Sequence, residues 1–300
     1  MSISGCNTVV DEHGRELLQH GTAAFPIGCY YDDLGEGPVP WHWHEELEAV
    51  VIASGSCTVA AGEKRFTLCQ GEGFFVNAGI LHGCWDLDAS SCRFHSLVFH
   101  PRLVGGSPES LFHQDYIDPL IHDPGLQSLL LSPEVPWQKE ALDAVEEAWQ
   151  HCFQEEPGYE FGVRNALSRL VWLICRKRPA GESQPSLRAI RDGERMKQML
   201  EFVHNHYSEP MDTATIAASA AISESECLRC FHATIGTTPI QYLRTHRLRR
   251  AAQMLSGTSL RIADIAARCG IPDVSYFTKS FRQIWGCTPT EFRRRQDKRP

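Results

Sequence analysis

The chain has 300 residues, 42% hydrophobic, 22% charged and 9% aromatic, which is enough for two domains with real cores and excludes wholesale disorder. The net charge of −8 averages two unlike parts: residues 186–300 hold 18 basic and 11 acidic residues, net +7, and residues 1–185 hold 11 and 26, net −15. No apolar run approaches the ~20 residues of a membrane span, and no basic start leads into an apolar stretch, so the sequence predicts a soluble, cytoplasmic protein without a signal peptide.

The first half reads as short strands followed by helices. Ala49–Ala53, Cys57–Ala60, Arg65–Leu68, Phe74–Asn77 and Phe94–Phe99 are strand-like runs separated by Gly55, Gly62, Gly71, Gly73 and Gly79. Regular short strands with glycine turns predict a sandwich or barrel. Two stretches of helical period follow, Trp137–Phe153 and Phe161–Lys177. On these, Leu142, Val145, Trp149, Leu167, Leu170 and Ile174 are candidates either for a dimer seam or for covering the barrel.

Among the strands stands His42-Trp-His44-Glu-Glu-Leu-Glu48, and further on Gly73-Phe-Phe-Val-Asn-Ala-Gly79-Ile-Leu-His82. The first resembles the first cupin motif and the second resembles the second, with Asn77 where a proline often stands. In a strand, residues two apart share a face, so His42 and His44 point together. With Glu48 and His82 they make a three-His, one-carboxylate set suited to a divalent transition metal. The same residues, with Trp85, serve equally as the polar lining of an effector pocket, or as a structural hydrogen-bond network. Trp41, Trp43, Trp85 and Tyr30 are candidates to stack on a sugar or an aromatic effector.

Arg176–Ser186, with two prolines, a glycine and two serines, is linker chemistry. The twelve cysteines are scattered, which predicts free thiols, and the lone Cys227-x-x-Cys230 pair lacks the partners of a zinc site.

The basic part contains a repeat. Ile216-Ala-Ala returns as Ile265-Ala-Ala, 49 residues on, and Phe231…Gly236-Thr-Thr-Pro returns as Phe281…Gly286-Cys-Thr-Pro, 50 residues on. Each copy reads as helix-turn-helix. In the first, Ala221 and Ile222 make the turn, and Ser223 with Glu226 forms a capping-box pattern before a helix ending at Gly236. In the second, Gly270 makes the turn, Pro272 suits the first helical position, and Tyr276, Phe277 and Phe281 point inward. The outward residues of the second helices are the candidates for reading DNA: Glu224, Ser225, Leu228, Arg229 and His232, then Val274, Ser275, Thr278, Lys279 and Arg282. Between the repeats, Tyr242–Leu255 is an amphipathic helix with Leu243, Leu248, Ala251 and Leu255 on one stripe. Its Arg247, Arg249 and Arg250 are either phosphate contacts or solubilising charge.

Leu260 to Arg293 resembles the signature of the AraC/XylS family of bacterial transcription regulators, through Ile-Ala, Gly, Tyr-Phe, Phe, Gly, Thr-Pro and Phe-Arg in order. Cys227, Leu228 and Lys279 depart from the residues common in the family, which bears on base preference and not on fold. The resemblance implies an α+β chain: a cupin-like effector-sensing barrel over 1–137, a helical dimerisation or packing segment over 138–178, a linker over 179–187, and a DNA-binding domain over 188–300 with helix-turn-helix units near 213–236 and 262–286. It implies a non-enzymatic regulator controlled by a small-molecule effector such as a sugar, with double-stranded DNA, RNA polymerase and a second copy as partners. The alternative is a metal-binding cupin enzyme carrying an accessory nucleic-acid domain. A third reading is an effector-independent regulator with a collapsed barrel.

Overall fold

The computed structural model describes residues 19–62, 64–86, 92–177 and 186–296. The chain divides into two compact units, with the boundary between Gly193 and Glu194. The expected linker falls largely on 178–185, outside the described residues.

The first unit is built on two antiparallel sheets. Its strands are β1 (Ile27–Asp33), β2 (Val39–His42), β3 (Leu47–Ser54), β4 (Ser56–Ala61), β5 (Lys64–Cys69), β6 (Gly73–Val76), β7 (His82–Asp86), β8 (Arg93–Phe99) and β9 (Ser128–Leu131). One sheet has the order β1-β8-β3-β6-β9 and the other β2-β7-β4-β5. All five expected runs are strands. Side chains alternate faces along each strand. Val50, Ile52, Val76 and Phe94 of the first sheet therefore meet Val59, Leu68 and Cys84 of the second in one core between the sheets.

The opposite face of the five-stranded sheet, through Leu47, Ala49, Phe75, Leu97 and Phe99, is equally buried. It is covered by α1 (Arg102–Gly105), a π-helical turn at 113–117, α2 (Asp118–Ile121), α3 (Pro136–Gln154) and α4 (Tyr159–Lys177). A strand buried on both faces reads as a continuous apolar run, which is why β3 was legible without alternation. Leu142, Val145, Trp149, Leu167, Leu170 and Ile174 all lie in this core. They cover the sheet and are not available to a second copy. Trp149 also donates its indole N–H to the Tyr30 carbonyl at 2.8 Å and stacks on His95 at 3.7 Å. Asn77 is a second tie: its amide donates to the carbonyls of Leu120 and Leu126, both at 2.8 Å.

The second unit is helical. It contains most of α5 (Leu187–His206), then α6 (Thr213–Ser219), α7 (Glu224–Thr234), α8 (Pro239–Gly257), α9 (Ile262–Arg268), α10 (Val274–Trp285) and α11 (Pro289–Gln296). The pairs α6–α7 and α9–α10 are the two expected helix-turn-helix units. Local chemistry sets their boundaries. Asp212 caps α6 through Thr215 N–H at 2.8 Å, and Ser223 caps α7 through Glu226 N–H at 3.3 Å. Thr238 and Gln241 form a full capping box at the start of α8. Pro272 stands two residues before α10. The cap is Asp273, whose carboxylate accepts from Ser275 and Tyr276 N–H at 2.9 and 3.0 Å. Leu248, Ala251, Leu255, Ile265, Phe277 and Phe281 make a common core. Tyr276 is not part of it. The helical period puts 277, 280 and 281 inward, and Tyr276 is 49% exposed, beneath the Arg244 guanidinium.

Among the described residues no helix is long and apolar enough to cross a membrane, and the eleven described cysteines are free thiols.

Candidate metal centre and nucleic-acid interface

His42 ends β2, Glu48 lies on β3 and His82 opens β7, with His42 and His82 paired across the β2–β7 ladder. His44 lies beyond the end of β2, in the turn leading to β3. It therefore joins His42 by turn geometry and not by the two-residue period of a continuous strand. One ligating atom from each of the four residues falls within 4.8 Å of the others, and all four residues are buried.

The outer nitrogens explain why the rings converge. His42 Nδ1 lies 2.8 Å from the Pro40 carbonyl, His44 Nδ1 3.0 Å from that of Glu46, and His82 Nδ1 2.7 Å from that of Ile80. A carbonyl only accepts, so each Nδ1 carries a proton, and in the neutral tautomer this leaves the lone pair on Nε2. These are the outer contacts that orient imidazoles toward a metal. Inside the cluster, His82 Nε2 is 2.8 Å and His44 Nε2 3.5 Å from Glu48 Oε2. None of these three atoms has a hydrogen-bond partner. Burial pushes the Glu48 carboxyl up, but the His82 and His44 imidazoles beside it outweigh this and hold it well below the usual carboxylate range. Three imidazole nitrogens and one carboxylate converging in a buried interior fit a divalent cation.

A cavity of about 20 Å³ adjoins the cluster, lined by His42, Glu48 and His82 together with Asp32, Ser96 and apolar residues. Asp32 and Ser96 were not among the candidates. They come from β1 and β8, and only the fold brings them to the cluster. Trp85 is placed otherwise. Along β7, His82 and Cys84 face the cavity, so Trp85 points to the opposite side, where it packs with Trp41 at 6.0 Å under Arg65. Tyr30 is buried and its hydroxyl bonds His20 at 2.8 Å.

In the second unit, Val274, Ser275, Thr278, Lys279 and Arg282 line one open groove with Gln283 and Thr288. Gln283 was missed, although it stands one helical turn beyond Lys279 on the same face. On α7, Glu224, Ser225, Leu228 and His232 are exposed. Arg229 is half-buried, and its guanidinium grips the Glu226 carboxylate at 3.0 and 2.7 Å. Cys227 and Cys230 are buried in the helix core as packing residues. Of the α8 arginines, Arg247 donates to the Tyr207 and Glu209 carbonyls, each at 2.6 Å. It ties α8 to the end of α5 and is not a free phosphate ligand.

Residues 30–134 match the AraC-like ligand-binding domain family and residues 216–295 a helix-turn-helix domain family. The chain is similar over almost its whole length to the HTH-type transcriptional regulator YdeC of Bacillus subtilis, at 29% identity across 96% of this chain and 98% of that one. It is also similar to the HTH-type transcriptional activator RhaR of Mannheimia succiniciproducens (26%, 86% of this chain and 88% of that one) and to RhaS of Klebsiella pneumoniae (28%, 95% and 97%). Among solved structures, an AraC-type regulator from Chromobacterium violaceum is 28% identical over 36% of this chain and 96% of its own, with a TM-score of 0.34. The chain belongs to the AraC-type transcription regulators. It joins a ligand-binding N-terminal domain to a DNA-binding domain of helix-turn-helix type.

Proposed function

We propose that the chain is a cytoplasmic transcription activator that reads DNA through α10 and the exposed face of α7, and whose β-domain holds a divalent transition-metal ion. His42, His44 and His82 would hold the ion through Nε2, and Glu48 through its carboxylate. When bound, the ion supplies a positive centre that neutralises Glu48 and links strands of both sheets. The observation that carries the metal reading is the set of three imidazoles each anchored through Nδ1 to a backbone carbonyl, with His44 and His82 Nε2 turned to the buried Glu48 carboxylate and a His42 ring nitrogen within 4.8 Å of them. For DNA it is the groove in which all five expected α10 residues meet. Lys279 and Arg282 supply the cationic contacts there, and Ser275 and Thr278 the short polar groups that reach base edges. The similarity to activators supports activation, which brings RNA polymerase in as a partner. We place a homodimer contact on α4, where Phe161 and Trp172 are exposed, because the six residues first considered are internal.

The test is the metal content of untagged protein purified without chelator, beside the His42→Ala/His44→Ala double variant. About one equivalent of transition metal in the wild type, lost in the variant, is the expected result. Metal-free protein after reconstitution with Zn²⁺, Mn²⁺, Fe²⁺ or Ni²⁺ overturns the metal reading and leaves the DNA reading standing.

A further inference from the structure

The space between the two sheets has two ends. At one, side chains such as Ile52, Cys57 and Leu68 fill it as a packed core. At the other lies the His/Glu cluster, and beside it about 20 Å³ of open volume bounded by Asp32, Ser96, Phe74, Phe94 and Val98. Sites for organic ligands run to roughly 300–1,000 Å³. A volume of ~20 Å³ holds about one water. A sugar or an aromatic acid does not fit in that volume, and Trp85, one of the side chains expected to stack on one, packs against Trp41 on the opposite side.

We infer that the regulatory ligand of this β-domain is the divalent transition-metal ion itself, accompanied by at most one water, so that the protein responds to metal supply and not to an organic effector. This rests on the metal reading above and goes beyond it by giving the ion the role of signal. The placement of the four residues makes such a role physical. His42 and His82 belong to the four-stranded sheet, Glu48 to the five-stranded sheet, and His44 to the turn between β2 and β3. An ion held by all four closes the domain across both sheets. Without it, the buried Glu48 carboxylate rests against the His44 and His82 imidazoles alone. A ligand shifts a conformational equilibrium only by binding one arrangement more tightly than another, and an ion that needs all four ligands favours the arrangement in which both sheets present them. The Asp32 carboxylate, 6% exposed on the cavity wall with Ser96 Oγ 3.5 Å away, is placed to accept a hydrogen bond from the one water that fits.

The experiment uses the full chain. Protein loaded with one equivalent of Zn²⁺ or Mn²⁺, and protein stripped with EDTA, each select duplexes from a random-sequence pool. The affinity of both forms for the selected duplexes is then read by fluorescence anisotropy. The expected result is an affinity difference of tenfold or more between the two forms, absent in Glu48→Gln and in His82→Gln. Both variants are checked by circular dichroism against stripped wild type; if one fails to fold the other serves, and the wild-type contrast stands without either. One equivalent of bound metal with affinities equal within twofold overturns the inference and leaves a structural metal. No bound metal overturns the metal reading and the inference with it. A sugar or aromatic acid that raises the melting temperature of metal-loaded protein also overturns it, because the domain then takes an organic effector.

Discussion

His82 Nε2 stands 2.8 Å from Glu48 Oε2, and neither atom has a hydrogen-bond partner. At that distance a proton on the nitrogen would normally be shared. The Nδ1 proton is committed to the Ile80 carbonyl, so in the neutral ring Nε2 presents its lone pair to the carboxylate. Two electron-rich atoms this close in a buried site repel unless a cation, a proton on Nε2 or a metal ion, sits between them. Metal should therefore stabilise the protein. At a free ion concentration about 100 times the dissociation constant, the gain is ~2.7 kcal/mol. Thermal melts with and without EDTA check this. Glu48→Gln should melt at the same temperature in both conditions, and a chelator-insensitive wild type contradicts the account.

The four residues of this cluster were legible because their types and spacing carry the chemistry. What surrounds them was not. The Pro40, Glu46 and Ile80 carbonyls that orient the rings are backbone groups, invisible to any residue pattern. Asp32 and Ser96 arrive from β1 and β8, brought together by sheet pairing over a long separation. β1, β7 and β9 were not read as strands. β7, His-Gly-Cys-Trp-Asp, is short and holds a glycine, and β1 ends in two aspartates, so neither shows the apolar run that marked β3 and β8. In the second unit the repeat made the architecture plain. Tyr276 is aromatic like its core neighbour Phe277, but the helical period turns it about 100° away, out of the core.

Lys279 and Arg229 should behave differently on DNA. Lys279 is exposed in the groove, while Arg229 is held by Glu226 and shares that carboxylate with Arg195 at 3.4 Å. Lys279→Ala should weaken binding to a selected duplex by ~1–3 kcal/mol if it reads a base. If it touches phosphate only, the loss is equal on random DNA and the salt slope falls by about 0.9. Arg229→Ala should cost less on DNA than Lys279→Ala. Salt titrations of both variants by anisotropy decide it, and a larger loss for Arg229→Ala would mean that DNA pulls Arg229 away from Glu226.

The repeat supplies a matched pair of turns. Ala221 and Gly270 occupy the same place, with φ of 53° and 69°, and the following residue bonds back equivalently, Ile222 to the Ala217 carbonyl at 3.1 Å and Ile271 to that of Ala266 at 2.9 Å. A left-handed backbone costs a residue with a Cβ roughly 1–2 kcal/mol, partly offset by the greater freedom of glycine in the unfolded chain. Ala221→Gly should therefore stabilise by about 0.5 kcal/mol. Gly270→Ala should destabilise by more, about 2 kcal/mol, because its Cβ would also lie 2.7 Å from the Tyr207 carbonyl oxygen and 2.9 Å from that of Ser208. Urea unfolding of the two variants measures both, and effects of the same sign would refute the comparison.

The helical unit also carries a built-in acid sensitivity. His204 and His246 stack at 4.3 Å, and His204 Nε2 lies 2.7 Å from the Tyr242 hydroxyl. Burial, with the charges of Arg250 and Arg249, lowers the His204 pKa to about 3. Burial likewise holds His246 well below its ordinary value, with His204 and the neighbouring arginines adding to the effect. Both histidines are neutral when folded, while in the unfolded chain each takes up a proton near pH 6.5. Their folded pKa values are depressed, so the stability is complete above pH 6.5 and declines as the pH falls from there toward the folded value. For His204 alone the loss is ~1.4 kcal/mol between neutral pH and pH 5.5. His204→Gln keeps a polar partner for Tyr242 and removes this titration. Melting temperatures at pH 7.5 and 5.5 should therefore differ by less in the variant than in the wild type. An equal shift in both would mean that the unit's acid sensitivity comes from other groups.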